Sequence, residues 1–452
     1  MRQNIFGPLM GVLVAGSPWI AELFHGLKGP AKFWKTLIII SFGIVLAPRV
    51  STAGDAISLD QLVAEAWAHN PEANVYRAEI AATKGERRTA GEWANPEAST
   101  ELGAKITRDY HGNTLGDGTT WTLSATQTFE YPGRVTLRKA IAGRQTAVAE
   151  LGLEGFRTAL GARVRALAFR AALAQTKADA ASEIAKHLDG LAAVLSQRPA
   201  AGVAQQADVR IIQASVIPLK RRPIEAQREM QSAIYELNQL RGAKIDSPLE
   251  LPRVDLRLNP LPPVASLVFT ARGRNYDIRT RVIELEQQGY KVRLALNERW
   301  PAVRVGPFAH NERSDTNEYQ FGIGASLPLP LWNLNAGKID TERARAVKAE
   351  AALATLIRDV ERKVADAEFV YRSRRDEAAQ LQASILPQLR ESAETGDRNF
   401  RDGAIPLTTY TELQKQYLDS IDALTAAQAA AIDARQQLEQ LTAMRLDSEE
   451  RR

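Results

Sequence analysis

The stretch PAVRVGPFAHNERSDTNEYQFGIGASLPLPLWNLNAGKIDTERARA, residues 301–346, decides the fold. Within it, residues 318–327 alternate between apolar side chains and small or polar ones. A period of two is typical of a β-strand with one apolar and one polar face. The weaker alternation of residues 302–310 predicts a partner strand. Each strand is close to the roughly ten residues that a tilted strand needs to cross a bilayer. A proline-rich corner follows, and a long helix begins at Lys338.

The same pattern occurs a second time, about 205 residues earlier, which is the signature of an internal repeat. Residues 98–107 and 119–130 alternate in the same way, and a corner at Tyr131-Pro132-Gly133 leads into another long helix. Collinear matches support a tandem duplication of helix, helix, strand, strand, long helix and shorter helix. They are Asn70-Pro71 with Asn275-Tyr276, Pro96 with Pro301, Gly133-Arg134 with Gly337-Lys338, residues 198–209 with 400–410, and residues 236–240 with 437–441.

The duplication divides the chain into five segments. Prolines at 218 and 223 predict a break or a kink in the second long helix, and Pro387 predicts a bend in the third. The segments are a leader, 1–53; repeat 1, 54–245, with long helices at about 135–196 and 204–241; a proline-rich linker, 246–266; repeat 2, 267–443, with long helices at about 338–395 and 406–443; and a carboxy-terminal tail, 444–452.

The leader has the features of a secretory signal peptide. Lys32 and Lys35 precede an apolar run over residues 36–47, and small residues lead to a cleavage site after Ala53. The alternative is an amino-terminal membrane anchor, although the run is short for a spanning helix. Of the formal charge of +5, about +4 lies in the leader, so the rest of the chain gives no support for nucleic-acid binding.

The number of strands points to an oligomer. Two strands per repeat give four per chain, too few to close around a lumen, whereas three chains would supply twelve. We therefore expect a homotrimer with a mixed α and β fold. In it, four membrane strands per chain form a twelve-stranded barrel on a long α-helical periplasmic tunnel.

The duplicated layout resembles the TolC-like outer-membrane efflux proteins over nearly all of residues 57–443. Within that family, the chain is most similar to the outer-membrane components of heavy-metal efflux systems, the cobalt–zinc–cadmium and nickel–cobalt resistance (CzcC-like) group. The residues that carry the resemblance are Asn70-Pro71-Glu72, Asn95-Pro96-Glu97, and the segments 129–134, 328–334, 337–338, 399–410 and 412–419.

The resemblance implies partners and a location. The chain would lie in the outer membrane, in contact with its lipid, with its tunnel in the periplasm. It would dock to a periplasmic membrane-fusion adaptor and to a proton-driven inner-membrane exporter of the RND class. That pump would supply the energy, so this chain would be a passive exit duct for nickel, cobalt, cadmium or zinc, and not an enzyme.

The family closes its tunnel with inward acidic side chains where the second long helix of each repeat begins. The matching positions are Asp208, Thr409 and Glu412, although Thr409 departs from the acidic pattern. Rings of like charge in a narrow pore attract cations and tune conductance. The alternative is that Asp208 and Glu412 are solvated residues that complement a helix dipole.

Other candidate residues fall into two groups. Arg198, Arg398 and Arg401, near the helix-pair turns, are candidates for contact with the adaptor or for pinning the closed state, with simple surface solvation as the alternative. Candidate lumen-lining residues come from the polar rows of the strands: Thr122, Ser124, Thr126, Gln320 and Ser326.

The sequence contains no motif for a metal, a cofactor or catalysis. Its five histidines are not paired at ligand spacing, and it has no cysteine. We find no nucleophile elbow, phosphate loop or paired catalytic carboxylates. Two functions compete with a metal duct. One is the outer-membrane channel of a multidrug efflux or type I secretion system, and the other is a periplasmic coiled-coil adaptor.

Overall fold

The computed structural model of the protein describes residues 58–197, 203–249, 258–314 and 316–446. The predictions for the leader, for part of the linker and for most of the tail lie outside these residues. Nine α-helices and four β-strands make up the described part of the chain. They are α1 Leu59–His69, α2 Glu72–Ala90, β1 Glu97–Arg108, β2 Thr114–Phe129, α3 Arg134–Gln197, α4 Val203–Leu240, α5 Val264–Arg274, α6 Tyr276–Asn297, β3 Val303–Arg313, β4 Asn317–Ser326, α7 Ala336–Gln380, α8 Leu386–Arg401 and α9 Leu407–Thr442.

The four strands form one antiparallel sheet in the order β1-β2-β3-β4. The two repeats are joined in this sheet by the pairing of β2 with β3, in which Thr122 lies opposite His310. Strands β1 and β4 are the two edges, each paired on one side within the chain. The apolar row of the sheet faces outward, with Leu102 82%, Phe321 75% and Ile323 79% exposed.

The long helices pack side by side, as the duplication requires. Helix α3 has 64 residues, which corresponds to roughly 95 Å of helix axis. It packs against α4 of its own repeat and against α9 of the other repeat. Alanine is frequent in these contacts, and Ala168, Ala171 and Ala431 are fully buried. Small side chains allow such close and nearly parallel packing over many turns.

Among the described residues, five ion pairs join α9 to the helices of repeat 1. Each of them connects repeat 2 to α3 or α4. The most buried pair, Arg165 with Glu439, lies against cores of both repeats. The pairs are Arg165–Glu439 at 2.5 Å, Arg170–Asp433 at 2.5 Å, Lys177–Asp422 at 3.4 Å, Arg222–Asp419 at 2.6 Å and Arg222–Asp422 at 3.2 Å.

Two buried asparagines repeat the same set of hydrogen bonds in the two halves. Asn70 Nδ2 donates to the Leu240 carbonyl at 2.9 Å, and its Oδ1 accepts from the Glu72 amide at 2.8 Å. Asn275 Nδ2 donates to the Leu441 carbonyl at 2.9 Å, and its Oδ1 accepts from the Ile278 amide at 3.0 Å. Each asparagine thus accepts a hydrogen bond from the first turn of one helix and donates one to the last turn of another. This explains why the motif occurs at the same place in both repeats.

Two predicted elements differ in detail from the structure. Strand β2 begins at Thr114, five residues before the predicted start, because residues 114–118 pair with β1 although their glycines hide the alternation. Helix α4 runs through Pro218 and Pro223 as one helix, so it does not break at either proline. Its packing on α3, with Leu219, Ala226 and Leu237 buried, outweighs the hydrogen bonds that proline removes.

Next to Pro387, where the sequence predicts a bend, the helix contains an irregularity. The helix predicted over 338–395 is interrupted by a π-helical turn, Leu381–Ile385, and Pro387 lies in the first turn of α8. Proline is tolerated in a first turn, and the wider π turn immediately before it leaves the proline ring room. Among the described residues, no helix is both long enough and apolar enough to span a membrane.

Candidate functional site

The polar face of the sheet gathers the predicted lumen residues. Thr122, Ser124 and Thr126 alternate along β2, and Gln320 and Ser326 along β4. The strand register places all five on the same face, the one opposite the exposed apolar row. One level across the four strands contains Glu101, Thr122, His310 and Gln320 in neighbouring positions.

This polar face carries charges that the sequence prediction did not include. Lys105 of β1 forms an ion pair with Glu312 of β3, across the intervening strand. His310 Nδ1 lies 3.0 Å from Thr122 Oγ1, and its Nε2 lies 3.6 Å from a Glu312 carboxylate oxygen. These residues are distant in sequence, so only the pairing of the strands could reveal the network.

An aromatic side chain also lies on the polar face. The ring of Phe308 covers Gly322 on the neighbouring strand, so that a Cβ at position 322 would lie 2.7 Å from the ring. A Cβ at Gly324, two residues further along the same strand, would be 3.8 Å from its nearest neighbour. Gly322 is therefore required by this packing, whereas Gly324 is not.

At the far end of the helices, the turn between α8 and α9 forms the second candidate site. Gly403 has a φ of +74°, a left-handed conformation that glycine adopts without strain. Phe400 stacks on Tyr410 with ring centroids 5.0 Å apart. Tyr410 and Leu407 are buried in a core that includes Ile184 of α3, so repeat 1 supports this turn.

Burial and the nearby Asp397 carboxylate both raise the pKa of Tyr410 above its ordinary value of 10. Its hydroxyl is thus held neutral well above physiological pH. A neutral, fully packed tyrosine gives the start of α9 a fixed orientation. The residues on the opposite side of that helix are therefore held in place relative to the core.

Of the three gate candidates, the structure describes the side chains of Thr409 and Glu412. Thr409 and Glu412 are exposed in the first turns of α9, and Glu412 accepts a hydrogen bond from Gln416 Nε2 at 3.2 Å. Asp208 lies in the first turns of α4, and its side chain is outside the described part of the structure. Thr409 and Glu412 are three residues apart and so lie on the same face of α9.

The arginine candidates have different surroundings. Arg401 is paired within its own helix with Asp397 at 2.7 Å. Arg398 is exposed and donates to Thr395 Oγ1 at 3.4 Å. Arg198 lies outside the described residues. Asp397 was absent from the candidates, although its position one helical turn before Arg401 is a spacing that predicts such a pair.

No group of three or more His, Cys, Asp or Glu side chains in the described ranges is arranged to hold a metal ion. A groove of about 640 Å³ lies between α3, α4 and α9. It is lined by alanine and leucine side chains and by charged residues such as Arg228 and Glu236. It is a surface groove between helices with no catalytic grouping.

Comparisons with known proteins agree with this architecture. Residues 267–444 match the family model described as outer membrane efflux protein. No curated protein sequence matches the chain. This family match covers repeat 2 and leaves repeat 1 to be recognised through its structure.

Solved structures match across both repeats. The outer-membrane channel OprN is 18% identical, with a TM-score of 0.70 over 85% of this chain and 89% of that one. CusC, described in terms of transmembrane channel formation, is 15% identical, with a TM-score of 0.67 over 85% and 92%. The CmeC outer membrane channel of Campylobacter jejuni is 13% identical, with a TM-score of 0.66 over 86% and 88%. The chain therefore has the TolC-like channel fold.

Proposed function

We propose that this chain is one protomer of a trimeric outer-membrane exit channel in a tripartite efflux system. One observation carries the proposal. A four-stranded sheet has an exposed apolar face and two edges open for pairing, and it continues into helices of up to 64 residues. An apolar face of this size is stable against lipid, and open edges are stable only when another strand pairs with them.

The polar face then becomes the lumen wall. Three copies would surround a pore with Thr122, Ser124, Thr126, Gln320 and Ser326, together with the charged residues of the same face. The long helices would continue the pore through the periplasm. Such a duct does no chemistry, and its cargo would be driven by an RND pump reached through a periplasmic adaptor.

For the cargo, we propose divalent heavy-metal cations, namely nickel, cobalt, cadmium or zinc. The support is the resemblance of residues 399–410 and 412–419 to the metal-efflux group, together with carboxylates on the polar face that would favour cations. The main alternative keeps the same duct with drugs or a secreted polypeptide as cargo. The periplasmic adaptor is disfavoured, because an adaptor has no use for an exposed apolar sheet face.

For the closed end, we propose that Asp208, Thr409 and Glu412 lie around the periplasmic opening, each tripled by symmetry. The exposed position of Thr409 and Glu412, opposite the buried Tyr410, supports this placement. Arg398 is the exposed arginine best suited to contact an adaptor. Arg401 is better suited to pin the turn through Asp397.

The deciding experiment is deletion of the gene, followed by growth on the four metals and on a panel of antibiotics. We expect sensitivity to at least one metal, restored by the wild-type gene, with the chain in the outer-membrane fraction. Sensitivity to antibiotics alone would favour the multidrug channel. Recovery in the soluble periplasmic fraction would overturn the channel proposal altogether.

A further inference from the structure

The two repeats meet within the chain through β2 and β3, and in a trimer β4 of one chain would have to meet β1 of the next. If the duplication makes these two junctions equivalent, the observed one specifies the other residue by residue. This step rests on the proposed trimeric channel.

The correspondence between strands is set by the sequence and by the observed pairing. Pro96 corresponds to Pro301, so β1 is related to β3 by an offset of 205 residues. In repeat 1, Gly103 lies opposite Thr120. The equivalent of Gly103 is Phe308, which lies opposite Gly322. Strand β2 is therefore related to β4 by an offset of 202 residues.

Applied to the observed pairing of β2 with β3, these offsets give the register between β4 and β1 of the next chain. Within the chain, Trp121 lies opposite Asn311. Their equivalents are Ile323 and Ile106. We infer that β4 pairs antiparallel with β1 of a neighbouring copy, with Ile323 directly opposite Ile106 of that copy. In the same register, Ala325 lies opposite Ala104, and Leu327 opposite Leu102.

The side chains on the two edges fit this register. Ile106 is 61% exposed and Ile323 is 79% exposed, so each edge presents an apolar row with no cover in the single chain. The proposed pairing places these rows side by side on the lipid-facing surface, where apolar cross-strand pairs stabilise a sheet. It also places Gly324 beside Lys105, whose partner within the chain, Gly118, is likewise a glycine.

Small neighbours on both sides have a consequence for Lys105. Its long side chain reaches over Gly118 to Glu312 within the chain. A large residue at the position of Gly324 would crowd the same side chain from the other side. The proposed register therefore leaves the ion pair intact in the assembled barrel.

The chain contains no cysteine, so introduced cysteines report on this register without background. Ile106 and Ile323 lie on opposite edges of the sheet, three strand spacings or roughly 14 Å apart across one chain. Along the strand direction they are further separated, because the register places Ile323 level with Ala98, eight residues before Ile106. A disulfide between them must therefore join two chains. Directly opposite residues in an antiparallel pair have Cα atoms about 4.5–5.5 Å apart, which suits a disulfide, whereas a shift of two residues places them beyond its reach.

The test uses the full chain in outer membranes, oxidised mildly and separated without reductant. The variant Ile106→Cys with Ile323→Cys is compared with two matched controls, Ala104→Cys with Ile323→Cys and Arg108→Cys with Ile323→Cys. We expect reducible covalent dimers and trimers for the first variant, at about tenfold or more above either control.

More cross-linking in either control than in the proposed pair would overturn the register. So would an intact trimer in which none of the three variants cross-links. Chemical cross-linking of lysines in the wild-type chain is the separate check on the oligomer itself. A chain that stays monomeric there would overturn the trimer, and the proposed function with it.

Discussion

At the scale of the residue, Gly322 is the position where one methyl group should matter most. A Cβ there would lie 2.7 Å from the Phe308 ring, and overpacking of this kind costs about 1–3 kcal/mol. We expect Gly322→Ala to lower the temperature at which the oligomer dissociates in detergent. Gly324→Ala is the matched control, with its nearest neighbour at 3.8 Å, and should leave that temperature unchanged or raise it.

The double variant Phe308→Ala with Gly322→Ala separates the ring contact from a general effect of alanine in the strand. Removing the ring should restore most of the stability lost in the single variant. If both glycine variants behave alike, the packing of Phe308 on Gly322 does not limit stability.

The proposed gate residues Asp208 and Glu412 should affect the conductance of the channel. Replacing Asp208 and Glu412 by serine removes carboxylates that would bind cations and accept hydrogen bonds at the narrow end of the pore. We expect the double variant to raise single-channel conductance in planar bilayers by about twofold or more. The matched control is Glu391→Ser, an exposed carboxylate on α8 before the turn. Unchanged conductance in the double variant would remove both residues from the gate.

Individual residues also show where sequence reasoning succeeds and where it stops. Asn70 and Asn275 were found because a repeated motif is a local signal. The network of Lys105, His310 and Glu312 was missed, because its members meet only once β1, β2 and β3 are paired. Asp397 could have been predicted from the sequence, because it lies four residues before Arg401 on the same helix.

At the scale of the element, the π-helical turn at Leu381–Ile385 holds one residue more than an α-helix would use over the same length. Deleting Ala383, which is exposed, should convert the turn to α-helix and leave α8 facing its partners. Deleting Ala352, an exposed residue in the regular part of α7, should rotate every later residue by about 100° and prevent assembly. Recovery of trimers in the outer membrane distinguishes the two variants. Equal loss in both would mean that the extra residue is needed.

The elements themselves were largely predictable, and the exceptions have physical causes. Strand β4 follows from the alternation around Ile323, which a pattern of period two expresses directly. The first residues of β2 contain Gly116 and Gly118, which have no side chain to place on either face. Pro218 and Pro223 each favour the end of a helix, but the packing of α4 along α3 outweighs this local preference.

At the scale of the whole molecule, the polar face carries a net negative charge. Four carboxylates, two fixed cations and His310 lie on it: Glu97, Glu101, Glu312 and Glu318, with Lys105 and Arg304. Three copies would surround the pore with this excess, so we expect the channel to prefer cations. The measurement is the reversal potential across a gradient of potassium chloride.

A double variant tests whether this face is the source of the preference. Glu101→Gln with Glu318→Gln should move the reversal potential toward zero. Glu298→Gln, which alters a carboxylate paired with Lys338 outside the strands, should leave it in place. Preference for anions in the wild-type channel would contradict the assignment of this face to the lumen.

The antiparallel pairing of β2 with β3 also has an evolutionary consequence. An ancestor that encoded a single repeat would have needed six copies to close the same ring, all joined by one kind of contact. After fusion of two copies, half of these strand contacts would lie within one chain. The other half would still form between chains when the trimer assembles. Once fused, the halves could diverge, and a residue such as Thr409 could lose its charge while Asp208 kept its own. In the proposed trimer, such a fusion would allow the two halves of the chain to differ while the ring of strands stays closed.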